Sequence, residues 1–301
     1  DSAAVQLFVS RARARQPDFT LTPVTLPAII RICQLVGGMP LALELAAAAS
    51  RHYTCAEIAA AIAQNLDFLT SSYRDTPPRQ RSLRATFDYA WAQLAPSERE
   101  MMAALSVFTG SFSQEAARQV MASSPALLTA LVDKSLLGRM GNGRYQLHHT
   151  LRQYASEQLP LTRQDALRQQ HAAYFTSWLR QQESGLYTSA QTDIFQHIIA
   201  DHDNIRAAWQ VALTDWQLDW LTQGLTTLRA FYNIQSRFQE GAEWLADTAV
   251  ILKSHAAQTP DSQHPLYQLL GKVLTRHASF CAWMGRRAEA EALFQQALPL
   301  T

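Results

Sequence analysis

The chain has 301 residues, of which 48% are hydrophobic and 17% are charged, and its formal net charge is +1. This length allows two or more domains with a sizeable core, and the balanced charge excludes a strong overall attraction to nucleic acid or to a membrane surface. Its cysteines (Cys33, Cys55 and Cys281) lack CxxC spacing, which favours reduced, buried thiols in the cytoplasm over a disulfide framework or a zinc site.

The sequence predicts no membrane span, because no apolar stretch reaches about 18 residues without a charge. It begins without methionine, inside the amphipathic stretch "DSAAVQLFVSRARAR". We therefore interpret the chain as a piece of a longer protein.

Helical patterning dominates residues 1–72, which we assign to one helical subdomain. Apolar residues recur at helical spacing in four segments. The second segment ends at Gly37-Gly38, the third has Pro40 in its first turn, and the fourth begins with a capping box formed by Thr54 and Glu57. Ser2 is a plausible cap of the first segment.

A polar link with Pro77-Pro78 follows and marks a domain boundary. Residues 79–160 then show several helical segments, a glycine-rich turn over 138–143, a short alternating strand "RYQLH", and a last helix from about Thr150. This order predicts a winged-helix domain with a short β-hairpin.

Residues 161–301 are predicted to form paired helices. The stretch "SRFQEGAEWLADTAVIL" matches "GRRAEAEALFQQALPL" at an offset of 49 residues, with small and large residues recurring in register. Such self-similarity is typical of a helical-repeat solenoid. The last unit resembles a tetratricopeptide repeat, whereas the earlier unit is degenerate.

Motifs for catalysis are absent from the sequence. It contains no GxxxxGK[ST], GxSxG, HExxH or GxGxxG. The neighbours His148 and His149 would point apart on a strand, which makes them a poor metal pair. We therefore expect no enzyme activity and no metal site in this chain.

Taken in order, these segments resemble the regulatory portion of a signal-transduction ATPase with numerous domains (STAND), of the NB-ARC-like bacterial branch. The lid of that family resembles "IIRICQLVGGMPLALELAAA", its winged helix resembles "RDTPPRQRSLRATFDYAWAQLAPSEREMMAALSVFTG" with "RYQLHHTLRQYASEQL", and the start of its sensor resembles "DHDNIRAAW". The similarity covers most of residues 1–210. It implies a P-loop domain upstream of Asp1 and a mainly α fold of lid, winged helix and repeats similar to tetratricopeptide repeats.

The resemblance implies two contacts with ADP or ATP held by that upstream domain. The first is the GxP motif of the lid, here Gly38-Met39-Pro40, whose proline packs near the adenine and ribose in the family. The second is the histidine that senses the β-phosphate, which matches His148. On the residues alone, the first motif is a helix stop followed by a helix start, and His148 is a core or surface histidine. His149 stands where the family often has an acid.

The expected function is a cytoplasmic, non-catalytic switch fragment. Its lid and winged helix help to clamp ADP or ATP, and its repeats receive a protein or small-molecule signal, with oligomerisation on activation as a possibility. A DNA-binding transcriptional regulator that uses the winged helix is the first alternative, although the segment "SPALLTALVDKSLLGR" has few side chains suited to base or phosphate contact. Arg79, Arg81 and Arg84 are expected to be solvated or paired. The second alternative is a scaffold that binds peptides on its repeats.

Overall fold

A computed structural model describes residues 3–70, 82–258 and 264–300. These residues form helices almost throughout, with one two-stranded antiparallel sheet, so the predicted mainly α fold is confirmed. Arg79 and Arg81, the predicted cap Ser2 and the first residues of the predicted domain 79–160 lie outside the described residues. Within the described ranges, no helix has the length and apolar character needed to cross a membrane.

The chain divides into two compact units, Asp1–Leu167 and Arg168–Thr301. The division falls inside one helix, Leu161–Gln181, whose first residue is the predicted start of the repeat domain. The further separation of the first unit into a lid (1–72) and a winged helix (79–160) stays a prediction.

The first unit opens with four helices. These are α1 (Ala3–Arg15), α2 (Leu26–Leu35), α3 (Pro40–Ala49) and α4 (Cys55–Gln64). The capping box of α4 is present, because the Thr54 hydroxyl accepts from the Glu57 amide and the Glu57 carboxylate accepts from the Thr54 amide at 2.8 Å. Helix α1 packs on α3, and α2 packs on α4. The four helices thereby bury a shared apolar core that includes Phe8, Ile29, Leu43 and Ile58.

Five more helices and the sheet complete the first unit. They are α5 (Leu83–Ala92), α6 (Pro96–Leu105), α7 (Gln114–Met121), α8 (Pro125–Asp133), β1 (Gly138–Arg139), β2 (Tyr145–Gln146) and α9 (His149–Glu157). The order of helices and hairpin is the one that the sequence predicts.

The β-hairpin is shorter than the stretch "RYQLH" indicates. Gly138 pairs with Gln146, Arg139 pairs with Tyr145, and Gly143 makes the reversal at φ +77°. Phe112 pairs with the other edge of Tyr145 through two backbone hydrogen bonds of 2.9 and 2.8 Å. The strand ends before Leu147, which is buried, because the chain then turns into the first residues of α9.

The second unit consists of helices connected by short turns. Helix α10 (Leu161–Gln181) leads into it. The others are α11 (Gln191–Ala200), α12 (His202–Thr214), α13 (Leu218–Ile234), α14 (Phe238–Ala256), α15 (Pro265–Trp283) and α16 (Arg287–Ala297).

The repeat that the sequence predicts at an offset of 49 is present in the backbone. Ser236 ends the turn after α13 at φ +54°, and Gly285 ends the turn after α15 at φ +79°. Each turn is closed by a hydrogen bond of 2.9 Å, from the amide of Arg237 in one case and of Arg286 in the other. Consecutive helical hairpins therefore share one connection geometry, which is the property of a solenoid repeat.

Candidate functional site

Two consecutive glycines connect α2 to α3, and we call Gly37-Gly38 the glycine turn. Gly37 has φ +61° and Gly38 has φ +68°, in the left-handed region that glycine adopts most easily. The Gly38 amide donates to the Cys33 carbonyl (3.0 Å) and the Gly37 amide to the Gln34 carbonyl (3.1 Å). This pair of bonds is a Schellman motif, which ends α2 and satisfies its last carbonyls.

Helix α3 begins immediately after the glycine turn. Met39 is extended (φ −60°, ψ 121°), as expected for a residue before proline, and Pro40 occupies the first helical position. No side chain caps this helix start. Its first amide groups therefore lack intrahelical partners, and the positive end of the helix dipole lies beside the turn.

His148 lies against the glycine turn although it is far away in sequence. It is the residue before α9 (φ −61°, ψ 146°), and its side chain does not cap that helix. A Cβ atom added to Gly37 would lie 2.4 Å from Nδ1 and 2.5 Å from Cγ of His148. The imidazole therefore rests on the bare backbone of Gly37, at a distance that only glycine permits.

The glycine turn and His148 belong to one cavity of ≈ 690 Å³ within the first unit. Polar groups of Gln34, Gln146 and His148 face it together with the glycine backbone. The remaining lining residues are apolar: Ala4, Val5, Leu21, Leu26, Ile30 and Cys33. A mostly apolar cavity with a few polar groups at one side is typical of small-molecule and cofactor sites.

The His148 ring is available for a ligand. It is half-buried, and burial lowers its pKa below the usual value, so the ring is neutral at pH 7. Among the residues that the structure describes, none forms a hydrogen bond with this ring. A neutral imidazole offers one N–H donor and one acceptor, and an anion placed beside it would raise its pKa again.

The structure thus brings two of the three predicted site residues together. Gly38 and His148 line the same cavity, whereas Pro40 is exposed and is not one of its lining residues. Gly37 was missed as a site residue, although the doubled glycine was visible in the sequence. Its role depends on the contact with His148, which no local pattern reveals.

His149 lies apart from this cavity. It is the first residue of α9, and its Nδ1 is 3.2 Å from an Nη atom of Arg152, which donates to it. Burial and then the charge of Arg152 lower the pKa of His149. The two neighbouring histidines therefore have separate surroundings.

Comparisons with known proteins point to regulators. No family model matches the chain. The chain is 32% identical over 255 residues to a candidate HTH-type transcriptional regulator of Mycobacterium tuberculosis (strain ATCC 25618 / H37Rv), across 80% of this chain and 28% of that protein. It is also 32% identical over 139 residues to the regulatory protein AfsR of Streptomyces coelicolor, across 42% of this chain and 13% of AfsR.

One solved structure is similar over most of the chain. It is a STAND protein with a tetratricopeptide repeat sensor from Pyrococcus horikoshii, at 14% identity and a TM-score of 0.30, covering 98% of this chain and 53% of that one. The chain spans about 28% of the length of the mycobacterial regulator, so most of that relative has no counterpart here.

Proposed function

We propose that this chain is the regulatory, non-catalytic part of a STAND-type signalling switch. In this proposal, α1–α4 form the lid of an NB-ARC-like ATPase and α5–α9 with the hairpin form its winged helix. Both help to clamp ADP or ATP on a P-loop domain that precedes this chain in the whole protein. The chain itself catalyses no reaction.

One observation carries the proposal: the His148 ring rests on the glycine turn, and both line one cavity. The uncapped start of α3 follows this turn directly in the chain. A neutral histidine N–H and a nearby helix N-terminus both favour a phosphate group. The sequence resemblance independently selects the same His148 and Gly38. Two motifs that are 110 positions apart, Gly38 and His148, therefore converge as a nucleotide half-site requires.

The apolar side of the cavity suits contact with the missing domain or with the nucleoside. Leu21 and Ile30 are each 41% exposed at its rim. Exposed apolar side chains that border a polar site are typical of surfaces that a partner covers. The much greater length of the mycobacterial relative leaves room for such a domain in the whole protein.

We assign the second unit to signal reception. Stacked helical hairpins present extended surfaces for proteins or small molecules, and a nucleotide clamp coupled to such a surface gives the two linked sites that allostery needs. Release of the clamp would then permit oligomerisation. In this proposal the whole protein acts in the cytoplasm as a regulator, and its relatives bear the names of regulators.

The test uses the whole protein with its upstream region and a fluorescent ADP analogue. We expect His148→Ala to weaken ADP binding by about 10- to 100-fold, since a hydrogen bond to a charged group contributes about 1.5–3 kcal/mol. His52→Ala is the matched control, because His52 is an exposed histidine of the same unit. Equal ADP affinity in the wild type and in folded His148→Ala would refute the clamp.

A DNA-binding regulator remains the second candidate, because the mycobacterial relative bears the name of an HTH-type regulator. Helix α8 is the candidate reading helix, and its exposed positions carry Pro125, Ala126, Thr129 and Asp133, none of them basic. Lys134, at its end, is 2.5 Å from Glu98. Base and phosphate contacts rely mainly on arginine, lysine and amide side chains, so α8 is a poor reader.

The predicted basic entry to the winged helix also favours intramolecular pairing. Arg84 is held by the carboxylates of Asp67 and Glu157, the second at 2.6 Å. A gel shift with this chain that weakens steeply with salt, and that disappears when glutamates replace Ala126 and Thr129 on the exposed side of α8, would instead support the DNA-binding alternative.

A further inference from the structure

The second unit contains a cluster of three possible metal ligands, His277, Cys281 and Glu289, far in sequence from the nucleotide half-site. One ligand atom from each lies within 4.8 Å of the other two. His277 and Cys281 are one helical turn apart on α15, so their side chains lie on the same face of that helix. Glu289 is in the first turn of α16, which packs against α15.

The histidine of this cluster has an unsatisfied group. The side chain of His277 is buried, with 7% of the residue exposed, and its Nδ1 has no hydrogen-bond partner among the described residues. Buried polar atoms are nearly always paired, so an unpaired ring nitrogen beside a thiol and a carboxylate requires an explanation. Cys281 is fully buried, and Glu289 faces solvent with 40% of its side chain exposed, which leaves a route to the cluster.

The repeat architecture does not account for these residues. At the equivalent positions of the preceding hairpin, 49 residues earlier, the chain has Leu228 and Tyr232, which are buried in the core. The Tyr232 hydroxyl is 3.1 Å from Nε2 of His202. The ion pair of Arg286 with Glu289 (2.6 Å) does recur there, as Arg237 with Glu240. Packing and ion pairing therefore need the arginine and the glutamate but neither the histidine nor the cysteine.

We propose that His277, Cys281 and Glu289 bind a divalent zinc-type ion that joins α15 to α16. Nitrogen, thiolate sulfur and carboxylate oxygen are the donors that Zn²⁺ accepts, and three protein ligands leave the fourth tetrahedral position to water. On binding, the Cys281 thiol loses its proton to solvent and its sulfur coordinates the ion as thiolate, while the imidazole coordinates in its neutral form.

The charges around the cluster permit this ion. The thiolate and the carboxylate together supply two negative charges for a divalent cation. The nearby cations are Arg286, which pairs with Glu289, and Lys253, whose Nζ donates to Gln296 at 2.6 Å. A carboxylate has two oxygens, so Glu289 can retain its arginine on one oxygen and bind the metal through the other.

The experiment titrates this chain, stripped of metal under reducing conditions, with Co²⁺ and then displaces it with Zn²⁺. We expect one equivalent of Co²⁺, a thiolate-to-cobalt charge-transfer band, and complete displacement by one equivalent of Zn²⁺. Cys281→Ser should remove the band, and Glu289→Gln should weaken binding by about tenfold or more, the loss that even an outer-shell change produces.

Controls separate metal binding from folding. His277→Leu places the residue of the preceding repeat at this position, so it should fold, with an unchanged circular dichroism spectrum, and lose the site. Cys33→Ser removes another buried thiol and should leave the band unchanged. Absence of the band in the folded wild type, or its persistence in Cys281→Ser or His277→Leu, would overturn the proposal.

Discussion

Replacement of Gly37 by alanine tests whether the close approach of His148 to the glycine turn is real. Gly37 and Gly38 are adjacent and have nearly the same backbone conformation, at φ +61° and +68°. Their surroundings differ. A Cβ on Gly37 would lie 2.4 Å from the His148 ring, whereas a Cβ on Gly38 would only touch the Ala4 Cβ at 3.9 Å.

The two substitutions should therefore lower the free energy of unfolding by different amounts, because only alanine at position 37 has to displace the His148 ring. An alanine in the left-handed region costs about 1–2 kcal/mol, partly offset by the lower entropy of the unfolded chain. Gly38→Ala should thus destabilise the first unit by about 1 kcal/mol. Gly37→Ala adds the overpacking of a half-buried ring, about 1–3 kcal/mol more.

Urea denaturation of the wild type, Gly37→Ala and Gly38→Ala measures this difference as a change in midpoint at constant slope. The double variant Gly37→Ala/His148→Ala completes the cycle, because alanine at 148 removes the ring atoms that the new Cβ would meet. In the His148→Ala background, we expect Gly37→Ala to cost no more than Gly38→Ala. Equal costs of the two single variants, or no coupling in the cycle, would show that the ring does not rest on Gly37.

Two further predictions concern the second unit. Burial lowers the pKa of His171 from 6.5 to about 4, so the fold is stabilised by the neutral ring above pH 6.5, and about 3 kcal/mol of the free energy of unfolding is lost as the pH falls toward 4. Unfolding of His171→Leu, measured as a function of pH, should lack this loss. Equal pH dependence of the unfolding free energy in the two proteins would contradict the prediction. The buried Trp209 indole N–H donates to Thr248 Oγ1 at 3.0 Å, so Thr248→Val should destabilise by about 1–3 kcal/mol in thermal or urea unfolding. Thr222→Val, on an exposed helix face, should cost less than about 0.5 kcal/mol, and similar losses in the two variants would refute the role of this bond.

Local signals in the sequence were sufficient to predict most of the helices. The capping box at Thr54, the glycine stop at Gly37-Gly38 and the proline start at Pro40 each fix a helix boundary through backbone chemistry that involves only neighbouring residues. The repeat offset of 49 was visible for the same reason, since each hairpin repeats one connection and one ion pair.

Contacts between distant residues were harder to predict. The strand predicted over "RYQLH" is limited to Tyr145–Gln146, because Leu147 turns into the core and His148 precedes a helix. The resemblance selected Gly38, Pro40 and His148 as site residues, but Pro40 does not line the cavity and the residue that His148 contacts is Gly37.

The proposed metal ligands were also not predictable from sequence motifs. His277 and Cys281 have no CxxC or HExxH spacing, and their third partner, Glu289, is on the next helix. The sequence alone therefore favoured the absence of a metal site. Only the packing of α15 against α16 places the three side chains together, and no spacing rule encodes that packing.

The most direct test of the nucleotide half-site is the pKa of His148, measured by NMR in the whole protein with ¹³C-labelled histidine, without ADP and with saturating ADP. Without ADP, burial should hold this pKa below its ordinary value. If His148 donates to a phosphate of ADP, the negative charge should raise its pKa above the value in the ADP-free protein. An unchanged His148 pKa in the ADP-saturated protein would contradict the clamp.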